Sequence, residues 1–196
     1  MKDIVTDKLY NEKYCKKINA KGWRFDTIPN VIEVLYNHFK PRSVVDLGCA
    51  NGIHLKSFKS LGVERIYGIE GTTHWKPYLE KSIGTDFEIL DLRKPIPTID
   101  QFDLAISFEV LEHLEKKYAR QAVKNILSFS DTFCISACPL AGGFHHVNVK
   151  PREYWIRVFD KLGAKYQQVE SEYLQNIFSN MNCSDWFKNS LKVFRK

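Results

Sequence analysis

The chain has 196 residues, 44% of them hydrophobic and 27% charged, which fits one compact domain with enough chain to bury a core. No apolar run approaches the ~20 residues of a membrane span, and Met1-Lys2-Asp3-Ile4-Val5-Thr6-Asp7-Lys8 lacks the apolar stretch of a secretory signal, so a soluble, cytoplasmic protein is expected. The net charge of +6 permits an anionic partner, but the basic residues are spread thinly; the densest group, Lys13, Lys16, Lys17, Lys21 and Arg24, reads as a solvated helix face.

An N-terminal segment, residues 1–40, is expected to form a helical cap on a core spanning 41–196, all within one domain. Ile28 to Tyr36 has helical apolar spacing and ends at Lys40-Pro41-Arg42. Strands and helices then alternate. Ser43–Leu47 reads as a buried strand and His54–Leu61 as a helix. Arg65–Ile69 is a strand, His74–Ser82 a helix and Asp86–Leu90 a strand. After the loop Arg93-Lys94-Pro95-Ile96-Pro97 come a strand over Phe102–Ser107, a helix over Tyr118–Phe129 and a strand over Thr132–Ala137. A Gly-rich loop leads to a helix over Pro151–Leu162. Lys165–Val169 and Leu191–Phe194 are read as closing strands. This alternation predicts an α/β fold, a three-layer Rossmann-like sandwich with a mostly parallel seven-stranded sheet and helices on both faces. Ligands of such folds bind at the carboxyl ends of the strands. The five cysteines, Cys15, Cys49, Cys134, Cys138 and Cys183, make no even framework, so buried thiols are expected. Cys134 and Cys138 share a strand face, with no second pair to complete a zinc site.

The first strand runs into Asp46-Leu47-Gly48-Cys49-Ala50-Asn51-Gly52. Glycines there let the backbone turn sharply and a ligand come close. The acid before the first glycine would repel a pyrophosphate but favours a cation. The second strand ends at Glu70, a carboxylate that can accept from both hydroxyls of a ribose. The third ends at Asp91-Leu92, where the acid can accept from an adenine amino group and Leu92 lie against the ring. After the fourth strand comes Ser107-Phe108-Glu109-Val110-Leu111-Glu112-His113-Leu114.

Asp-x-Gly-x-Ala-x-Gly, Glu70, Asp91 and Phe102-Asp103-Leu104-Ala105-Ile106-Ser107 together resemble the successive motifs of class I S-adenosylmethionine (SAM)-dependent methyltransferases. Ala50 stands where the family more often has glycine. The resemblance implies SAM as methyl donor, held by Asp46, Gly48, Ala50, Gly52, Glu70, Gly71, Thr72, Asp91, Leu92 and Phe108. Catalytic candidates follow from the acceptor side. If the fourth-strand segment is helical, Glu109 and His113 share a face. The loop Cys138-Pro139-Leu140-Ala141-Gly142-Gly143-Phe144-His145-His146-Val147-Asn148 lies at the same edge and brings His145 and His146. An alcohol gives up its proton reluctantly, so a His or Glu base would help. The Asn/Asp-Pro-Pro-Tyr signature of amino-methylating enzymes is absent.

The same loop, with Tyr154-Trp155, looks like that of small sugar O-methyltransferases. Trp23, Phe25, Tyr154 and Trp155 could stack on sugar faces. The expected activity is methyl transfer to a sugar or glycan hydroxyl, on a small-molecule or glycan substrate ahead of a nucleic acid. Glu109, Glu112, His113 and one of His145 or His146 also resemble the four-ligand set of metal-dependent small-RNA 2'-O-methyltransferases, which makes a divalent metal an alternative to the metal-free reading. A small-molecule O-methyltransferase and a non-catalytic SAM-binding interaction protein are the further alternatives. Tyr10, Tyr14 and Arg24 are candidates for an N-terminal contribution to the cofactor site.

Overall fold

The structure, a computed structural model, describes residues 5–21, 25–98, 100–140 and 143–196, in two compact units, 1–91 and 92–196. The first unit opens with α1 (Val5–Leu9), α2 (Glu12–Lys21) and α3 (Ile28–Phe39). α3 buries Ile28, Val31, Ile32 and Leu35, the i, i+3, i+4, i+7 stripe of an amphipathic helix. Its chain stops at Lys40, whose left-handed backbone returns its N–H to the Tyr36 carbonyl. β1 (Ser43–Leu47), α4 (Ile53–Ser60), β2 (Arg65–Glu70), α5 (Lys76–Ile83) and β3 (Phe87–Ile89) follow. β1 pairs parallel to β2, Ser43 opposite Arg65, and β2 pairs parallel to β3, Gly68 opposite Phe87. Val44, Val45 and Leu47 are fully buried, as a strand covered on both faces requires.

The second unit holds β4 (Leu104–Phe108), α6 (Ala119–Leu127), β5 (Thr132–Ser136), α7 (Arg152–Asp160), β6 (Lys165–Tyr166), α8 (Gln168–Ser179), α9 (Asp185–Ser190) and β7 (Lys192–Arg195). β4 and β5 are parallel; β7 is antiparallel to β5 and to β6. Strand order is β3-β2-β1 in the first unit and β4-β5-β7-β6 in the second, seven strands of a mostly parallel α/β fold. Phe133, Phe159, Phe178, Phe187 and Phe194 fill the second unit's interior, with Phe159 stacked on Phe194.

Three expectations need correction. Lys165–Val169 is a strand only to Tyr166; Val169 is 82% exposed and belongs to α8, whose Ser171, Leu174 and Phe178 turn inward at helical spacing. α9 likewise has no counterpart among the predicted elements. Residues 109–113 are not an α-helix: Glu109 has φ +56° and only Leu111–His113 form a 3₁₀ turn, so the i, i+4 pairing of Glu109 with His113 fails. β5 ends at Ser136, so strand alternation does not reach Cys138; all five cysteines are free, and Cys138 alone is half-buried.

Candidate active site

The first unit's site is built on the turn between β1 and α4. Gly48, Ala50 and Gly52 have φ of +92°, +47° and +75°, so alternate residues are left-handed. Two are glycines, for which this conformation is unstrained, and Ala50 is the exception. Gly48 and Cys49 donate to the Ile69 carbonyl at 2.7 and 3.2 Å, tying the turn to β2. Glu70, at the end of β2, holds the turn from the other side. Its Oε2 accepts from the Ala50 N–H at 2.9 Å; its Oε1 accepts from the N–H groups of Gly71 at 2.8 Å and Thr72 at 3.1 Å. Burial nevertheless raises the Glu70 pKa to about 7 against the lowering effect of those donors.

Asp46 is buried beneath the turn. Its Oδ2 lies 3.2 Å from His54 Nδ1, and its Oδ1 has no hydrogen-bond partner among the described residues. The N-terminal helices close on the same place. Asp7 of α1 accepts from the Thr72 hydroxyl at 2.7 Å, the Thr73 N–H at 2.8 Å and the Thr73 hydroxyl at 3.0 Å. The Asn51 side-chain amide donates to Asn19 Oδ1 at 3.1 Å. Tyr14 and Cys15 of α2 feel the Glu70 charge, and burial pushes both of their pKa values up. Tyr10 packs edge-on against Tyr14.

The second unit gathers a different set. Beyond β4, Glu109 is held by its N–H to the Ser136 carbonyl and hydroxyl and accepts from Ser190 Oγ at 3.3 Å. Glu112, fully buried, accepts the Cys138 N–H at 3.0 Å, and its own carbonyl accepts the Asn148 N–H at 2.9 Å. Burial and the Glu109 charge raise the Glu112 pKa, so this pair holds a proton at neutral pH. His113 is pushed down to about 4, by burial first and then by the neighbouring His146. The His113 and His146 rings meet edge-on with centroids 4.8 Å apart. His146 Nδ1 lies 3.1 Å from the Leu140 carbonyl. Gly143 makes room for that ring: a Cβ there would lie 2.2 Å from His146 Cε1.

One potential ligand atom from each of Glu112, His113 and His146 falls within 4.8 Å of the others. Glu109 and His145 are not in that set, so the expected four-ligand constellation reduces to three, with His146 as the later histidine. His145 has φ +54° and precedes the clustered ring.

The remaining candidates are placed as follows. Asp91 closes the first unit, half-buried. Leu92, buried in the second, offers its carbonyl to Asn125 at 2.9 Å. Phe108 is buried against Trp186 and Phe187. Trp155 is a core residue at 1% exposure, and Tyr154 is half-buried beside it. Trp23, Arg24 and the side chain of Phe25 lie outside the described residues.

Sequence reasoning missed Lys192. It lies opposite Ile135 on β7, is 2% exposed, and donates to the Ser190 carbonyl at 2.5 Å. Burial lowers its pKa to about 8, while the charges of Glu109, Glu112 and Glu153 pull the other way. A lysine within the apolar run Leu191 to Phe194 was the available signal.

A family model described as a methyltransferase domain matches residues 20–169. Among curated proteins, sequence comparison finds no match. Among solved structures, a TehB-like SAM-dependent methyltransferase from Corynebacterium glutamicum superimposes with TM-score 0.67 at 17% identity, over 95% of this chain and 100% of that one. SAM-bound CalS10, an amino pentose methyltransferase from Micromonospora echinaspora, gives TM-score 0.64 at 13% identity, over 88% and 91%. The methyltransferase domain of bacterial CtHen1-C gives 0.60 at 18%, over 88% and 98%.

Proposed function

The chain belongs to the methyltransferase domain family, and on that premise we propose that it transfers a methyl group from SAM to a hydroxyl of a sugar or glycan. The residues of the first unit fit the donor. SAM carries a sulfonium and an ammonium and no phosphate, which suits the buried carboxylates Asp46 and Glu70. Asp46 Oδ1 has no partner among the described residues, and Glu70 Oε2, which accepts one N–H, keeps a lone pair for a ribose hydroxyl. The left-handed turn at Gly48, Ala50 and Gly52 leaves backbone free for close approach. When bound, SAM supplies an electrophilic methyl group open to in-line displacement.

The observation that carries the hydroxyl acceptor is the Glu112–His113–His146 cluster. An alcohol must lose a proton as it attacks, and a positioned imidazole is the group that takes it near neutral pH. With Nδ1 committed to the Leu140 carbonyl, His146 carries its proton there and presents Nε2 as the acceptor. Gly143 seats the ring, and the Glu109–Glu112 pair holds its proton rather than acting as base. A panel of glycans, small-molecule alcohols and RNAs with radiolabelled SAM tests the reading. Methylation of amines alone would overturn it, and donor binding with no transfer to any acceptor would favour a non-catalytic protein. Binding that weakens steeply with salt would point to RNA over a neutral glycan.

A second reading keeps the methyl acceptor a hydroxyl but adds a divalent cation. One carboxylate and two imidazoles suit Mn²⁺, Mg²⁺ or Zn²⁺, and a cation would replace the proton that Glu112 holds. Its expected signature is loss of turnover in EDTA and recovery on adding Mn²⁺; full turnover in EDTA eliminates the metal.

A further inference from the structure

The second unit contains two buried asparagines whose side chains are treated in opposite ways. Asn125, 3% exposed, is saturated. Its Nδ2 donates to the carbonyls of Leu92 at 2.9 Å and Lys94 at 2.8 Å; its Oδ1 accepts from the Ile96 N–H and from Gln121. It braces a loop, and every polar atom is used. Asn148 is more deeply buried, at 1% exposure, yet neither its Oδ1 nor its Nδ2 has a partner among the described residues. Buried amides of folded proteins are almost always bonded, to protein or to ordered water, so an amide without a protein partner marks a place where water or a ligand binds.

The location of Asn148 indicates which group. Its backbone N–H is fixed to the Glu112 carbonyl at 2.9 Å, and it lies two residues beyond His146, so it flanks the proposed base. The preceding segment is lightly packed, with Leu140 69% and Phe144 and Val147 each 49% exposed. A primary amide offers a donor and an acceptor side by side. A hydroxyl next to the one being methylated can satisfy both, accepting from Nδ2 and donating to Oδ1.

We propose that Asn148 is an acceptor-binding residue that recognises a hydroxyl adjacent to the methylated one, so that the substrate class is a vicinal diol of a saccharide. The inference rests on the hydroxyl-acceptor reading above. A site built to bond a substrate hydroxyl discriminates strongly against analogues that lack it.

The test is binding, which needs no turnover. Isotope-labelled protein saturated with S-adenosylhomocysteine is titrated with methyl hexopyranosides, and with cyclohexanol as a single-hydroxyl control. The side-chain amide resonances of Asn148 are expected to move with a glycoside and not with cyclohexanol. Asn148→Leu and the milder Asn148→Ser should each weaken glycoside binding tenfold or more without altering S-adenosylhomocysteine affinity. Resonances unmoved by every glycoside, an equal response to cyclohexanol, or undiminished glycoside affinity in a folded variant would overturn the proposal. Failure of methyl transfer to all hydroxyls would refute the functional reading while leaving this binding result standing.

Discussion

The donor turn of the first unit and the cluster of the second are both buried and polar, but they are stabilised in opposite ways. Around Glu70 three backbone N–H groups converge on one carboxylate and fix the turn before any ligand arrives, with Asp46 Oδ1 the acceptor left for the ligand. Around Glu112 two carboxylates crowd one another, a histidine is held neutral, a lysine is buried against a carbonyl, and an asparagine amide has no partner among the described residues. The first pattern shapes backbone for a fixed ligand. The second keeps groups short of partners, so that a substrate can supply them, at a cost in stability.

The comparison can be broken where its effects are largest. His146→Ala should lower turnover by about 10² to 10⁴-fold, the usual worth of general base catalysis, and leave S-adenosylhomocysteine affinity unchanged by calorimetry. An unaltered rate would place the base elsewhere. Asp46→Ala should do the reverse, weakening donor binding by about 2–5 kcal/mol through loss of a buried charged acceptor; unchanged affinity would refute this placement of the donor.

Lys192 tests the claim that the second region sacrifices stability. Its folded pKa is lowered from 10.5 to about 8, so the fold bears a penalty of about 3 kcal/mol while the lysine is charged, relieved as pH rises from 8 towards 10.5. Lys192→Met should therefore be more stable than the parent at pH 7 in denaturant melts, with the gain vanishing at alkaline pH. A destabilised variant at pH 7 would contradict the penalty.

Glu70 gives the subtlest signal. A carboxyl raised to about 7 contributes stability that is fully present below about pH 4.5 and lost as pH rises through 7. Donor hydroxyls and positive charge favour the ionised form, so S-adenosylhomocysteine affinity should rise with pH up to about 7 and then level off. Binding should release a proton at pH 6, seen by calorimetry in buffers of different ionisation enthalpy. A pH-independent affinity would mean that Glu70 does not change charge on binding.

The two regions also differed in how much the sequence revealed. Asp46, Gly48, Gly52 and Glu70 stand out in the sequence as candidates because they lie at or just beyond a strand end, the edge where ligands of such folds bind. The Glu109–His113 segment misled because periodicity cannot announce a left-handed glutamate, and the strain at φ +56° is imposed by bonds to Ser136 on another strand. Neighbouring histidines could not be ranked from sequence. The choice of His146 over His145 depends on Gly143 leaving space for the ring, a contact made only after the loop folds. Asn148 reads in isolation as an ordinary loop residue, and only full burial without partners marks it out. α8 escaped because the strand read over Lys165–Val169 runs into its first turn, where Val169 is exposed rather than on the buried stripe.

The bonds from Asp7 to Thr72 and Thr73 have a consequence for synthesis. Asp7 emerges from the ribosome 65 residues ahead of Thr72, an interval of roughly 3–13 s at ordinary elongation rates. Until then the Asp7 carboxylate lacks the three bonds that tie α1 to the end of β2. α1 is thus made well before the residues that hold it, so loss of the Asp7 carboxylate should disturb cofactor capture before it disturbs the sheet.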